Sequence, residues 1–104
     1  MILAIVRFNV PSPVEHDAAV AGAEASAPAY RDVPELHRKV YTRSTDGTVL
    51  GGVYQWSSRD AAERFYDEAW RDRVTQRFGA PPDIEYVEAL LVVDNERPSS
   101  SPAP

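Results

Sequence analysis

Cysteine is absent from the 104 residues, and there are only two histidines and five glycines. The lack of cysteine excludes disulfides, thiolate metal ligands and cysteine nucleophiles. His16 and His37 are too far apart in the chain to form a metal-binding pair with the usual spacing. No glycine-rich loop precedes a helix to cradle a phosphate, since Gly51-Gly52 falls within an expected strand, and there is no Gly-x-Ser-x-Gly nucleophile elbow. Any catalysis must then work without metal, nucleotide or covalent nucleophile, and no cofactor is expected. Positive charge is also in deficit: 11 Lys and Arg face 16 Asp and Glu, for a net charge of −5. That balance argues against nucleic acid as a partner. The charges are dispersed along the chain, as on a solvated surface. Long apolar runs are missing too. Met1–Val6 stops at Arg7, short of a membrane span or a secretory leader, so the expectation is a cytoplasmic protein with no membrane partner.

What is present fits one domain, residues 1–95, followed by a Ser/Pro tail over 96–104 that has little to pack and is expected to be flexible. A chain of this size buries roughly 60–65% of its unfolded surface, a modest margin that association with a second copy would improve.

Ile2–Phe8 is apolar on both faces except at Arg7, which predicts a central strand. Ser12-Pro13-Val14-Glu15 carries helix-start signals, and the alanine-rich segment predicts a helix to about Asp32, kinked near Glu24 by Pro28. Leu36–Ser44 and Thr48–Trp56 read as a hairpin around Asp46-Gly47. Ser57 opens a second helix whose apolar positions, Ala61, Ala62, Phe65, Tyr66, Ala69, Trp70, Val74 and Phe78, follow helical spacing up to Gly79. Ile84–Val93 is a last strand. The order βαββαβ, with right-handed crossovers, predicts an α+β, ferredoxin-like fold. It is a four-stranded antiparallel sheet with strands one and three in the middle and both helices on one face. The other face would expose Val, Ile and Leu. A patch of that size is rarely left in water, so a homodimer is expected.

A two-residue Asp46-Gly47 loop sets Tyr41 opposite Gly52, Lys39 opposite Tyr54 and His37 opposite Trp56. One face then collects His37, Lys39, Tyr41, Tyr54 and Trp56: a base, a cation, two phenols and an indole. Two readings of this face stand. In one, Lys39 and Arg43 guard a sheet edge and the aromatics are cross-strand packing. In the other, the face lines a small-molecule site, with Trp70 and Phe65 as further walls. Arg7 and Asn9 at the end of the first strand join the candidates, because a charge beside a buried strand needs a partner, either Glu85, Glu88 or a ligand.

The runs Pro34-Glu35-Leu36-His37-Arg38-Lys39-Val40-Tyr41 and Gly51-Gly52-Val53-Tyr54-Gln55-Trp56-Ser57, with Asp94-Asn95, resemble the small YdhR-type monooxygenases. These belong to the dimeric α+β barrel superfamily, together with the antibiotic-biosynthesis monooxygenases. The resemblance covers nearly the whole chain to about Asn95. It implies a ferredoxin-like homodimer and, from better-studied relatives, oxidation of phenolic or anthrone-like polyketides by molecular oxygen without a cofactor. In such chemistry the substrate supplies the electrons, and the protein deprotonates it, stabilises the anion and excludes water. Other relatives are decarboxylases, isomerases, dechlorinases and haem-degrading enzymes.

The expected function is therefore a cofactor-independent monooxygenase acting on a planar aromatic or phenolic metabolite of secondary metabolism. His37 would serve as base, with Lys39 or Arg7 stabilising the substrate anion. Tyr41, Tyr54, Trp56, Trp70, Phe65 and Asn9 would contact the substrate. The alternatives are a non-oxidative cyclase or isomerase of the same fold, or a small-molecule-binding dimer without turnover.

Overall fold

The computed structural model describes residues 1–96. Apart from Glu96, the expected tail lies outside the described residues. The strands are β1 (Ile2–Asn9), β2 (Leu36–Arg43), β3 (Val49–Trp56) and β4 (Asp83–Glu88). The helices are α1 (His16–Ser26), α2 (Arg59–Phe65) and α3 (Glu68–Phe78), with a 3₁₀ turn at Ala27–Ala29. The sheet order is β2-β3-β1-β4 and every neighbouring pair is antiparallel, as the βαββαβ pattern requires. Among the described residues no helix is long and apolar enough to cross a membrane.

The core forms where one sheet face meets the helices. Ala4, Val6 and Phe8 of β1 and Tyr54 and Trp56 of β3 pack with Ala61, Ala62, Tyr66, Trp70 and Val74. These β1 and β3 residues alternate with Leu3, Ile5, Val53 and Gln55, which point away from the core, following the two-residue period of a strand. Trp56 is 1% exposed, and its indole N–H donates to the Tyr66 hydroxyl at 3.1 Å, so its one polar atom is satisfied.

Three elements differ from the sequence-based expectation. The helix expected from the Ser12 region begins only at His16, with Glu15 extended at its start and no side-chain cap. The preceding backbone is engaged elsewhere: the Val14 N–H donates to Gly47 O at 3.0 Å, and Val14 O accepts from Arg43 Nε at 2.8 Å. Pro28 does not kink this helix but ends its α-helical part, and the last residues tighten into the 3₁₀ turn.

The single helix expected from Ser57 to Gly79 is two helices. Ser58, not Ser57, caps α2 by accepting from Ala61 N–H at 3.1 Å. Tyr66 then leaves helical geometry, and Asp67 caps α3 by accepting from Trp70 N–H at 2.8 Å. Gly79 closes α3 in the left-handed conformation, φ +76°, as expected.

The last strand ends at Glu88, not Val93. Ala89 N–H still reaches Met1 O at 3.0 Å. Beyond it Leu90, Leu91 and Val93 are 88, 83 and 76% exposed, beside a sheet face that carries Val40 at 50%.

Candidate functional site

The hairpin sets the site. Its turn is not the two-residue loop expected: Gly47 N–H bonds to Ser44 O, and Ser44 N–H to Val49 O, around the segment 45–48. Asp46 accepts from the Ser44 hydroxyl and from the Thr48 N–H and hydroxyl, which hold its carboxyl well below the usual range, at about 2. Gly47 has φ +76°, and a Cβ there would stand 2.6 Å from Val14 O. The longer loop is centred on the same point as the shorter one, so Tyr41 still faces Gly52 and Lys39 faces Tyr54.

The register fails at the far end. A bulge pairs Leu36 with Trp56 and Arg38 with Gln55, leaving His37 as the extra residue. His37 is exposed and shares a 2.7 Å hydrogen bond with the Ser57 hydroxyl. The structure does not bring it to Lys39. Glu35, just before the bulge, is held at φ 67° while its carboxylate meets Arg64 Nη2 at 2.9 Å.

Between the helix-facing side of β2 and β3 and the helices α1 and α3 lies a cavity of about 1050 Å³. Its walls include Lys39, Tyr41, Tyr54 and Trp70, together with Tyr30 from the segment after α1. The Lys39 ammonium nitrogen lies 3.3 Å from the ring centre of Tyr30, 3.9 Å from Tyr41 and 4.7 Å from Tyr54. Such ring faces attract a cation. Among the described residues no carboxylate forms an ion pair with it. Burial, and then the neighbouring Arg77 guanidinium, lower Lys39 from 10.5 to about 7. Close to neutral pH this side chain therefore exists both as an amine that can accept a proton and as an ammonium that can face an anion.

The rings are held in place by their neighbours. Trp70 Nε1 donates to the Tyr30 hydroxyl at 3.2 Å, and the Tyr41 hydroxyl shares a 2.7 Å hydrogen bond with Ser26. Burial pushes the Tyr54 and Tyr66 phenols far above their ordinary value. Burial also raises Tyr41, against the opposing effect of the Ser26 bond. A Cβ on Gly52 would lie 3.3 Å from Lys39 Cε and 3.3 Å from the Tyr54 ring, so this glycine leaves room for the lysine stem.

Of the residues singled out in the sequence, Lys39, Tyr41, Tyr54 and Trp70 line the cavity. Trp56 and Phe65 lie behind it, with Trp56 parallel to Tyr54 at 6.3 Å and Phe65 5.7 Å from Tyr30. Arg7 and Asn9 sit on the opposite sheet face, where Arg7 Nη1 meets Glu85 at 3.4 Å and Asp83 at 4.0 Å. Sequence reasoning missed Tyr30, Arg73 and Arg77. The last two had a signal: Trp70, Arg73, Val74, Arg77 and Phe78 occupy i, i+3, i+4, i+7 and i+8 of α3, one stripe facing the cavity. Among the described residues no group of three acidic or histidine side chains is placed to hold a metal ion.

No family model matches the sequence. No curated protein matches it either. Solved structures do match in fold. A monooxygenase from the gene ActVA-Orf6 of Streptomyces coelicolor, in complex with the ligand nanaomycin D, superposes with a TM-score of 0.66 at 22% identity, over 91% of this chain and 92% of that one. A Bordetella bronchiseptica protein described as a candidate antibiotic biosynthesis monooxygenase gives 0.63 at 21% identity, over 86% and 97% of the chains. Rv0793 from Mycobacterium tuberculosis gives 0.62 at 19% identity, over 90% and 100%. The fold is thus shared with these proteins, over nearly the whole length of each.

Proposed function

We propose that this chain is a cofactor-independent monooxygenase-like enzyme that acts, as a homodimer, on a planar aromatic or phenolic small molecule bound in the cavity over Lys39. The observation that carries the reading is Lys39 itself: a lysine drawn among three tyrosine rings in an apolar-walled cavity, with no carboxylate partner among the described residues. Its fold likeness to a monooxygenase solved with a small-molecule ligand supports the same reading.

The chemistry asks little of the protein. The Lys39 amine takes a proton from the acidic carbon or hydroxyl of the substrate, and the ammonium so formed stabilises the resulting anion. The anion gives its electrons to molecular oxygen. For a methylene between aromatic rings, CH₂ and O₂ become C=O and H₂O: the carbon is oxidised, one oxygen atom stays on it, and the other leaves as water with both hydrogens. The tyrosine walls and Trp70 orient the plane and keep water from the anion. His37 and Arg7 have no part in this scheme, because neither reaches the cavity. The homodimer rests on the sheet face away from the helices, where Leu3, Ile5, Val40 and Val53 gather, with the Leu90–Val93 segment exposed beside it.

Oxygen uptake with 1,8-dihydroxyanthrone as probe tests the proposal. Uptake matched one-to-one by quinone formation, with no added metal, flavin or haem, is the expected result. Conversion of the probe that continues without oxygen would favour the cyclase or isomerase reading. Binding without conversion would favour a non-catalytic dimer.

A further inference from the structure

We propose that the ligand is a planar aromatic acid whose carboxylate is held by Arg73 and Arg77 of α3 while its ring enters toward Lys39. This rests on the reading that the cavity is the site. Four of the chain's 11 Lys and Arg line the cavity (Lys39, Arg43, Arg73 and Arg77) against one of its 16 Asp and Glu, Glu24. In a protein of net charge −5, the cavity is a place where the sign reverses.

The helix itself does not neutralise this charge. Arg59 has Glu63 one turn on, at 3.7 Å. Arg73 has Ala69, Trp70, Gln76 and Arg77 at those spacings, and Arg77 has Arg73, Val74, Ala80 and Pro81. Neither has a helix-spaced acid, and the two are like charges one turn apart, an arrangement that is mildly unfavourable. Among the described residues Arg73 makes no hydrogen bond or ion pair. Arg77 donates from Nη2 to Gly22 O at 3.1 Å, which sets it across the gap between α3 and α1; among the described residues its other N–H groups have no partner. Arg43 is different: its guanidinium is spent on Val14 O, Ser44 O and Thr45 O, so it braces the loop. The planar fork of arginine matches a carboxylate in a way an ammonium does not. An anion at Arg73 and Arg77 would also offset the repulsion that Arg77 exerts on Lys39 deeper in.

Calorimetric titration with 2-naphthoate and its neutral isostere 2-naphthamide tests this. We expect the acid to bind about tenfold more tightly or better at low salt, the size of a charge-assisted bidentate contact. Added salt should weaken the acid and spare the amide. Arg73→Gln, at a residue that holds nothing in the fold, should narrow the gap, and Arg73→Gln/Arg77→Gln should close it. Equal affinity of acid and amide for the wild type, or a preference that survives the double change, would overturn the proposal while leaving the cavity as an aromatic site. If neither compound bound, both the proposal and the reading beneath it would fall.

Discussion

The Lys39 ammonium nitrogen sits 3.3 Å from the centre of the Tyr30 ring, a contact between a strand residue and the segment that follows α1. Tyr30 is in turn held by the Trp70 indole of α3. One lysine thus links sheet and helix layer at the cavity, and its chemistry is set by all three elements. The groups facing it are Tyr30, Tyr41, Tyr54 and Arg77, with His16, Glu24, Arg43 and Arg73 elsewhere in the cavity wall.

Lys39 should make stability depend on pH. Its value in the fold, about 7, lies below the 10.5 of the unfolded chain. Between these values the unfolded state binds the extra proton, so stability rises with pH across that window and the contribution is flat below it. Above about 10, where unfolded tyrosines ionise, Tyr54 and Tyr66 act in the opposite sense, because burial keeps their phenols neutral in the fold. Lys39→Met should therefore remove the rise between pH 7 and 10, raise the melting temperature at pH 7 by a few degrees, and cut turnover about 10²–10⁴-fold. Melting curves against pH and oxygen-uptake rates for the two proteins check this.

Adjacent glycines should respond differently to alanine. A Cβ on Gly51 would stand 1.9 Å from Val6 O, so Gly51→Ala forces β1 and β3 apart. A loss of about 2–3 kcal/mol by denaturant titration is expected. At Gly52 the nearest atoms, at 3.2–3.3 Å, include Lys39 Cε and the Tyr54 ring edge. Gly52→Ala should cost less stability and chiefly displace Lys39, lowering ligand affinity with a near-normal melting temperature.

The sheet face away from the helices should mediate self-association. Val53 lies near its centre, paired with Ile5 and Val40. Sedimentation at micromolar concentration should give a dimer for the wild type and a monomer for Val53→Arg, with the cavity-side fold retained. A wild-type monomer would contradict the homodimer.

The strand order was legible because Ile2–Phe8 is apolar on both faces, as a central strand is, and because the Asp46-Gly47 signal joins the next two strands as a hairpin. The Lys39–Tyr54 and Tyr41–Gly52 pairs were legible even though the turn has a different length, since both loops share one centre. The bulge at His37 was not. It depends on how Glu35 enters the strand with φ 67°, which no local propensity predicts. The break at Tyr66-Asp67 was hidden because the apolar spacing continues across it, and Asp67 reads as one more surface acid until its carboxylate is seen on the Trp70 N–H. Tyr30 lies inside a segment expected to be helix up to Asp32, and Arg73 and Arg77, as charged residues, drop out of an apolar-spacing reading although their spacing from Trp70 places them on its stripe. Arg7 was the reverse case: a charge on an apolar strand whose partners, Glu85 and Asp83, lie across the pair with β4.

Where a planar aromatic binds decides whether the cavity over Lys39 is the site, and backbone amide NMR with 2-naphthol as a neutral probe measures that. The predicted result is a set of saturable shifts at Ser26, Tyr30, Lys39, Tyr41, Tyr54, Val74 and Arg77, with Leu3, Val53 and Leu90 unmoved. Shifts centred on Val40, Val53 and Leu90 with the cavity silent would contradict it.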